Sequence, residues 1–187
     1  MVEITRKTPK LKYPYYYYFR NFSGICIYAP DTNVFWEQGA NGVNSPRYKE
    51  HVEWADQNLD RLLKDCQFKI LIGHQSPRSG IGRPVSDAIV DFFEKHIWGK
   101  FQLVMVGHDH MLGQFPPLKG THVFISGSGG KSMPDEDKKY FSKALIYGNN
   151  KPGFMKVILK RDAKKNISAR ILALHPGKPE LSLLNIP

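Results

Sequence analysis

The chain has 187 residues, of which 41% are hydrophobic and 24% charged, and its formal net charge is +10. These values suit one globular domain with a sizeable core and exclude an intrinsically disordered chain. No run approaches the roughly 18 apolar residues of a membrane span, and no signal-peptide pattern is present, so the default expectation is a cytoplasmic location. The positive charge favours an anionic partner, such as a phosphate ester. The alternative is that the basic residues only form a solvated surface.

The first part of the chain predicts a hairpin followed by a helix. Residues 15–19 and 24–28 are rich in aromatic and β-branched residues and predict two strands. Residues 30–44 are rich in Asn and Gly and predict a loop. Ser45 and Pro46 then mark a helix start, because serine suits the N-cap and proline the first helical position. An apolar stripe at helical spacing continues this helix through Val52, Ala55, Leu59, Leu62 and Leu63.

Two strands that each end in Gly-His follow the helix. The apolar runs 68–72 and 101–106 predict these strands, and a second helix between them is capped by Ser86 and ended by Gly99. Further strands are predicted at 121–126, 154–159 and 169–174, with a polar insertion over 127–150. The β-α-β-α-β order predicts an α/β layered domain with a sheet that is at least partly parallel.

Three histidines lie just beyond these strand ends, namely His74, His108 and His110. Ligands of such sheets gather at the carboxyl ends of the strands. Side chains alternate along extended backbone, so His108 and His110 are expected on one side and Asp109, in a structural role, on the other. Neutral imidazole is a common ligand for zinc, iron and manganese. The pattern predicts a shared metal site; the alternative is histidines that only pack and form hydrogen bonds.

Several segments resemble a known family. ILIGHQSPRSG, LVMVGHDHMLGQF and THVFISGSGG have the order and spacing of motifs in the calcineurin-like metallophosphoesterases. KLKYPYYYYF and GICIYAPDTN are similar to segments of the purple acid phosphatase branch. The resemblance covers roughly residues 9–174. It implies that residues 1–187 form one domain that is only part of the family's complete domain. It implies a layered metallophosphoesterase-type β-sandwich with flanking helices and a centre of two Fe, Zn or Mn ions. It assigns His74 and His108 to the second metal and His110 to the first.

The family's other site motifs do not occur in this sequence. They are an Asp-x-His, a Gly-Asp and a Gly-Asn-His-Glu, which supply the remaining ligands, the bridging aspartate and a histidine for the leaving group. The chain therefore resembles the C-terminal half of the fold, and no catalytic residue is identified in it. Where the family has a substrate-binding histidine, Arg78 or Arg83 is a candidate for the phosphate contact, and loss of that contact is the alternative.

Three hypotheses for the function follow. The first is a metal-dependent phosphoric ester hydrolase, similar to acid phosphatases, whose missing N-terminal half lies on another chain or whose site is completed in a homo-oligomer. We then expect at most weak binding of a single metal ion and little hydrolysis by this chain alone. The second is a catalytically inactive relative that acts as a binding module. The third is a basic nucleic-acid-binding module that would use tyrosines 15–18 to stack on bases. Consecutive residues of a strand face opposite ways, so at most half of these tyrosines could stack on one ligand, and core and edge positions are favoured for them instead.

Two smaller patterns complete the sequence analysis. The two cysteines, Cys26 and Cys66, form no CxxC motif and do not indicate a disulfide framework. Asn21-Phe-Ser23 and Asn166-Ile-Ser168 match the N-glycosylation pattern. Such tripeptides arise often by chance, so the pattern alone carries little weight.

Overall fold

A computed structural model describes residues 16–36 and 42–187, which form two sheets and two α-helices. The larger sheet has seven strands and the smaller has three. In chain order the elements are β1 (Tyr18–Phe22), β2 (Ile25–Ala29), α1 (Pro46–Leu63), β3 (Phe68–Ile72), α2 (Asp87–His96), β4 (Leu103–Val106), β5 (Leu112–Leu118), β6 (Thr121–Ser126), β7 (Tyr147–Asn149), β8 (Phe154–Arg161), β9 (Ile167–Leu174) and β10 (Leu181–Ile186). Short 3-10 helices cover Thr32–Phe35 and Asp135–Tyr140.

The larger sheet is of mixed direction, in the order β1-β2-β3-β4-β6-β5-β7. Strands β2, β3, β4 and β6 are parallel neighbours, which confirms the predicted α/β class with a partly parallel sheet. The other strands of this sheet pair antiparallel. The predicted hairpin is confirmed as β1–β2, with Ser23 and Gly24 at its turn, where φ is 54° and 90°. The smaller sheet is antiparallel in the order β10-β9-β8.

The larger sheet lies between the helices and the smaller sheet, because its strands are apolar on both faces. Leu71 and Val104 pack with Leu59 of α1 and Phe93 of α2 in one core cluster. On the opposite face, strand residues pack against the smaller sheet in a second cluster that contains Phe68, Ile70, Leu103, Phe124, Ala169 and Ile171. The result is a layered α/β architecture in which the carboxyl ends of β3 and β4 meet at one edge.

Both helices begin at the predicted serines, but only one serine side chain caps its helix. The Ser45 hydroxyl accepts a hydrogen bond from the Tyr48 amide at 3.0 Å, whereas Ser86 makes no capping hydrogen bond through its side chain. We expect Ser45→Ala to lower the free energy of unfolding by about 1 kcal/mol. The matched variant Ser86→Ala should change it by less than about 0.5 kcal/mol. Urea unfolding measures both; equal losses would contradict the assignment of the cap.

The two cysteines were not expected to form a disulfide framework, and in the structure Cys26 and Cys66 are joined in one disulfide. Cys26 lies in β2, and Cys66 lies just before β3. Parallel pairing of β2 with β3 places Ile25 opposite Phe68, which brings the two cysteines to a Cα–Cα distance of 5.7 Å. A separation of 40 residues gives no local signal of this bond, so only the sheet topology discloses it.

Three strands were not predicted, namely β5, β7 and β10. β5 carries Pro116 and Pro117, which weaken a strand pattern, and its register with β6 shifts between Phe115 and Leu118. β7 lies in the predicted polar insertion and has only three residues. Within the two described ranges, no helix combines the length and apolarity needed to cross a membrane.

The strand predicted over 15–19 begins only at Tyr18, so side-chain alternation does not decide the positions of Tyr16 and Tyr17. Tyr17 is buried and stacks on the ring of His51 with 4.4 Å between ring centroids. Tyr16 is exposed, and the guanidinium of Arg47 lies 3.8 Å from the centroid of its ring. Tyr15 falls outside the described residues. Neither described ring arrangement is that of an open stacking platform.

Candidate metal centre

His74 and His108 come together beyond the ends of two neighbouring parallel strands. β3 ends at Ile72 and β4 at Val106, and Ile72 is paired with Met105. His74 Nε2 and His108 Nδ1 lie 3.4 Å apart, and the two rings are nearly perpendicular, at 86°. The Gly107 amide donates to the His74 carbonyl at 3.0 Å, which ties the two loops together. These two predicted site residues therefore share one small volume.

Thr32 holds the backbone that carries His74. Its buried hydroxyl accepts hydrogen bonds from the amides of His74 at 3.0 Å and Gln75 at 2.9 Å. The approach is close: a Cβ added to Gly73 would lie 2.9 Å from Thr32 Cγ2. The sequence analysis gave Thr32 no role, because a single threonine after a strand has no distinguishing pattern.

The backbone around His108 is not extended, which corrects the reason given for pairing His108 with His110. His108 has φ of 64°, and residues 108 to 111 form bends rather than strand. Side-chain alternation therefore does not apply here. His110 is among the groups whose charge lowers the pKa of His108. Across residues 16–36 and 42–187, however, no group of three or more His, Cys, Asp or Glu side chains has the geometry to hold a metal ion.

Asp109 has the predicted structural role. Its carboxylate is buried, and Oδ2 accepts hydrogen bonds from the Gly80 amide at 2.7 Å and the Ser79 hydroxyl at 3.3 Å. These contacts fasten the loop after β3 to the loop after β4. One carboxylate oxygen, Oδ2, is thus engaged by loop backbone and hydroxyl groups.

Burial lowers the pKa of His108 below its ordinary value, and the neighbouring Asp109 only partly opposes this. The charge of Arg83 is among those that lower the pKa of His108 further. The neutral form of His108 is therefore favoured near neutral pH. A neutral imidazole offers the free nitrogen lone pair that metal coordination requires.

The two candidate phosphate-binding arginines lie in different surroundings. The Arg78 guanidinium lies 4.3 Å from the ring centroid of Phe115 and donates to the Pro116 carbonyl at 3.2 Å. Arg83 is exposed, and its amide donates to the Ser79 hydroxyl at 2.9 Å. The charge of Arg83 contributes to the lowered pKa of His108, whereas Arg78 is not among the causes of that shift.

Trp36 is a further side chain at this edge that the sequence analysis did not single out. Its ring centroid lies 5.4 Å from that of His108, and the side chain is 38% exposed. It follows the 3-10 helix that begins at Thr32. An exposed indole beside an imidazole offers both a hydrophobic wall and a fluorescent reporter of the site.

The fold of this chain is similar to that of GAP50. The solved structure is described as the anchor in the inner membrane complex of Plasmodium; the TM-score is 0.67 and the sequence identity 18%. The similarity covers 93% of this chain and 56% of that chain, so this chain spans little more than half the length of GAP50. At this identity, the similarity concerns the fold alone. No family model and no curated protein matches the sequence.

Proposed function

We propose that the chain corresponds to the second half of a metallophosphoesterase-type β-sandwich with flanking helices, and that it contributes histidines to a centre that hydrolyses phosphate esters. The observation that carries the proposal is the 3.4 Å separation of His74 Nε2 and His108 Nδ1. The remaining ligands would come from a further segment, another chain or a second copy. The three quoted motifs of the family support the substrate class.

The histidine pair suits one divalent ion. Two nitrogens that each lie 2.0–2.1 Å from a tetrahedral ion are about 3.3–3.4 Å apart. The separation in this chain, 3.4 Å, agrees with that value. No carboxylate joins the pair to make a group of three within the described part of the chain, so a two-ion centre needs ligands from elsewhere. The same separation also permits a hydrogen bond between the two rings, and the experiment must distinguish these two states.

The residues of this chain have separate tasks in the proposal. His74 and His108 would hold the ion, which when bound would polarise a phosphoryl oxygen as a Lewis acid. Thr32 would fix the direction of His74 through its hydrogen bonds to the loop backbone. Arg83 would draw the anionic ester toward the site by its charge.

Zinc titration tests the pair directly. We expect Zn²⁺ to bind weakly and to shift the ring ¹⁵N resonances of His74 and His108 together. His74→Ala and His108→Ala should each lower the affinity by at least about tenfold, because each removes one of two ligands. The control His175→Ala, at a partly exposed position beyond β9, should bind as the wild type does. Unchanged affinity in both site variants would contradict the proposal.

An assay on an aryl phosphate distinguishes a hydrolase from a binding module. The full chain is assayed with added zinc, manganese or iron, and we expect zinc binding with little turnover. Turnover that is lost in His108→Ala would show that the chain hydrolyses unaided and would contradict the need for further ligands. Zinc binding that stays without turnover in the presence of every candidate partner segment would favour an inactive relative that acts as a binding module.

A further inference from the structure

Both N-glycosylation tripeptides lie beside exposed turns at one end of the molecule, where a strand meets the turn. Asn21 is next to the last residue of β1, before the Ser23-Gly24 turn. Asn166 lies in the turn between β8 and β9. Both asparagines are exposed. Turns of this kind are where a bulky hydrophilic group can be attached without disturbing a core.

The two turns are neighbours in space. A guanidinium nitrogen of Arg161, at the end of β8, donates to the Ser23 carbonyl. Gln67, whose amide donates to the Gly24 carbonyl at 2.8 Å, lines a surface cavity together with Asn166. Gly24 and Gln67 immediately precede β2 and β3, whereas His74 follows the opposite end of β3. The turns and the histidine pair therefore lie beyond opposite ends of a five-residue strand that is roughly 16 Å long at about 3.3 Å per residue.

The Cys26–Cys66 disulfide provides an independent indication of the compartment. Disulfides form and persist in oxidising compartments and are rare in the cytosol. Oxidising secretory compartments are also where N-linked glycans are attached. The tripeptides alone do not indicate glycosylation, because they arise often by chance. The disulfide adds an independent indication that the chain is exposed to the compartment in which N-glycosylation occurs.

We propose that Asn21 and Asn166 are N-glycosylated and that the chain matures in an oxidising compartment. The donor is an oligosaccharide linked to a lipid pyrophosphate. A bond forms between asparagine Nδ2 and C1 of the first sugar as the C1–O bond to the pyrophosphate breaks. The lipid pyrophosphate leaves with the bonding electron pair, and one Nδ2 proton passes to a base.

The side-chain contacts are compatible with this product. Asn21 Nδ2 donates to the Asp65 carbonyl at 3.3 Å, and Asn166 Nδ2 donates to Asp162 Oδ2 at 3.0 Å. An asparagine amide has two N–H groups, so each nitrogen retains one donor after a sugar replaces the other hydrogen. The glycans would cover the end of the sheet opposite His74 and leave the candidate metal centre open.

The test uses the full chain expressed behind a cleavable secretion leader in cultured eukaryotic cells. Protein from the medium and from the cells is treated with peptide-N-glycosidase in H₂¹⁸O and analysed by gel mobility and mass spectrometry. We expect two glycans and conversion of Asn21 and Asn166 to ¹⁸O-labelled aspartate. Asn21→Gln and Asn166→Gln should each remove one mobility step, and the double variant should show none.

Matched variants separate attachment from folding. Ser168→Ala should lose the glycan on Asn166, whereas Ser168→Thr should keep it, because either hydroxyl completes the tripeptide. Thiol titration of the unfolded, unreduced protein should find no free cysteine. If both asparagines are unmodified in protein that contains the disulfide, the glycosylation proposal is overturned. If only one of the two asparagines carries a glycan, the assignment of the other asparagine is overturned. Two free thiols would overturn the disulfide on which the proposed compartment rests.

Discussion

Gly127→Ala is expected to destabilise the protein by about 3 kcal/mol, at the upper end of the usual cost of overpacking. A Cβ at this position would lie 2.0 Å from the Asp109 carbonyl oxygen and 2.9 Å from its carbon. Both atoms belong to backbone, so no rotation of a side chain relieves the clash. The Gly127 amide also donates to the Met111 carbonyl at 2.9 Å, and a shift that relieves the clash would strain this bond.

The same substitution should weaken zinc binding, because the displaced loop carries His108. Urea unfolding gives the loss of stability, and zinc titration below the unfolding transition gives the loss of affinity. Gly130→Ala is the matched control: no heavy atom lies within 4 Å of its added Cβ. It should change the free energy of unfolding by less than about 0.5 kcal/mol. Similar stability in the two alanine variants would show that the close approach at Gly127 does not constrain the fold.

The buried strands could be predicted because both faces of the larger sheet are covered. A continuous apolar run gave 68–72, a strand was also predicted at 121–126, and the structure has β3 and β6 at those bounds. The helix starts at Ser45 and Ser86 were likewise local patterns. β10 was not predicted because none of its residues is buried, and the three residues of β7 are too few to show a period.

The meeting of His74 with His108 was also accessible from sequence, because it depends only on two parallel strands being neighbours. The orientation of the following residues was not accessible. It depends on the left-handed backbone of His108, at φ 64°, which is unusual for a residue other than glycine. Thr32 and Trp36 approach the pair from a part of the chain about 40–70 residues earlier, and no local pattern encodes such a contact.

The free energy of unfolding is expected to fall as the pH decreases below about 6.5, with His51 as a main cause. His51 is fully buried between the layers; its Nε2 lies 2.7 Å from the Tyr28 hydroxyl, and its ring stacks on Tyr17. Burial is the largest cause that lowers its pKa to about 3, and the charges of His96 and Arg47 act in the same direction. The folded protein therefore keeps this imidazole neutral.

The sign follows from proton binding. In the unfolded chain His51 titrates near pH 6.5, so between about pH 6.5 and pH 3 the unfolded state binds the additional proton. Its contribution to stability is fully present above the unfolded pKa and is lost toward acid, by at most about 1.4 kcal/mol per pH unit. At pH 4 the loss from this residue is about 3 kcal/mol. Burial also lowers the pKa of His96, which adds a change of the same sign.

His51→Gln isolates this contribution, because glutamine is neutral at every pH in the window and can still form a hydrogen bond with the Tyr28 hydroxyl. The variant should be less stable than wild type at pH 7, since it loses the aromatic packing. Between pH 7 and pH 4, however, it should lose less stability than wild type does. Urea unfolding at pH 7, 5.5 and 4 measures the difference. An equal loss in His51→Gln and wild type would place the origin of the acid sensitivity at other residues.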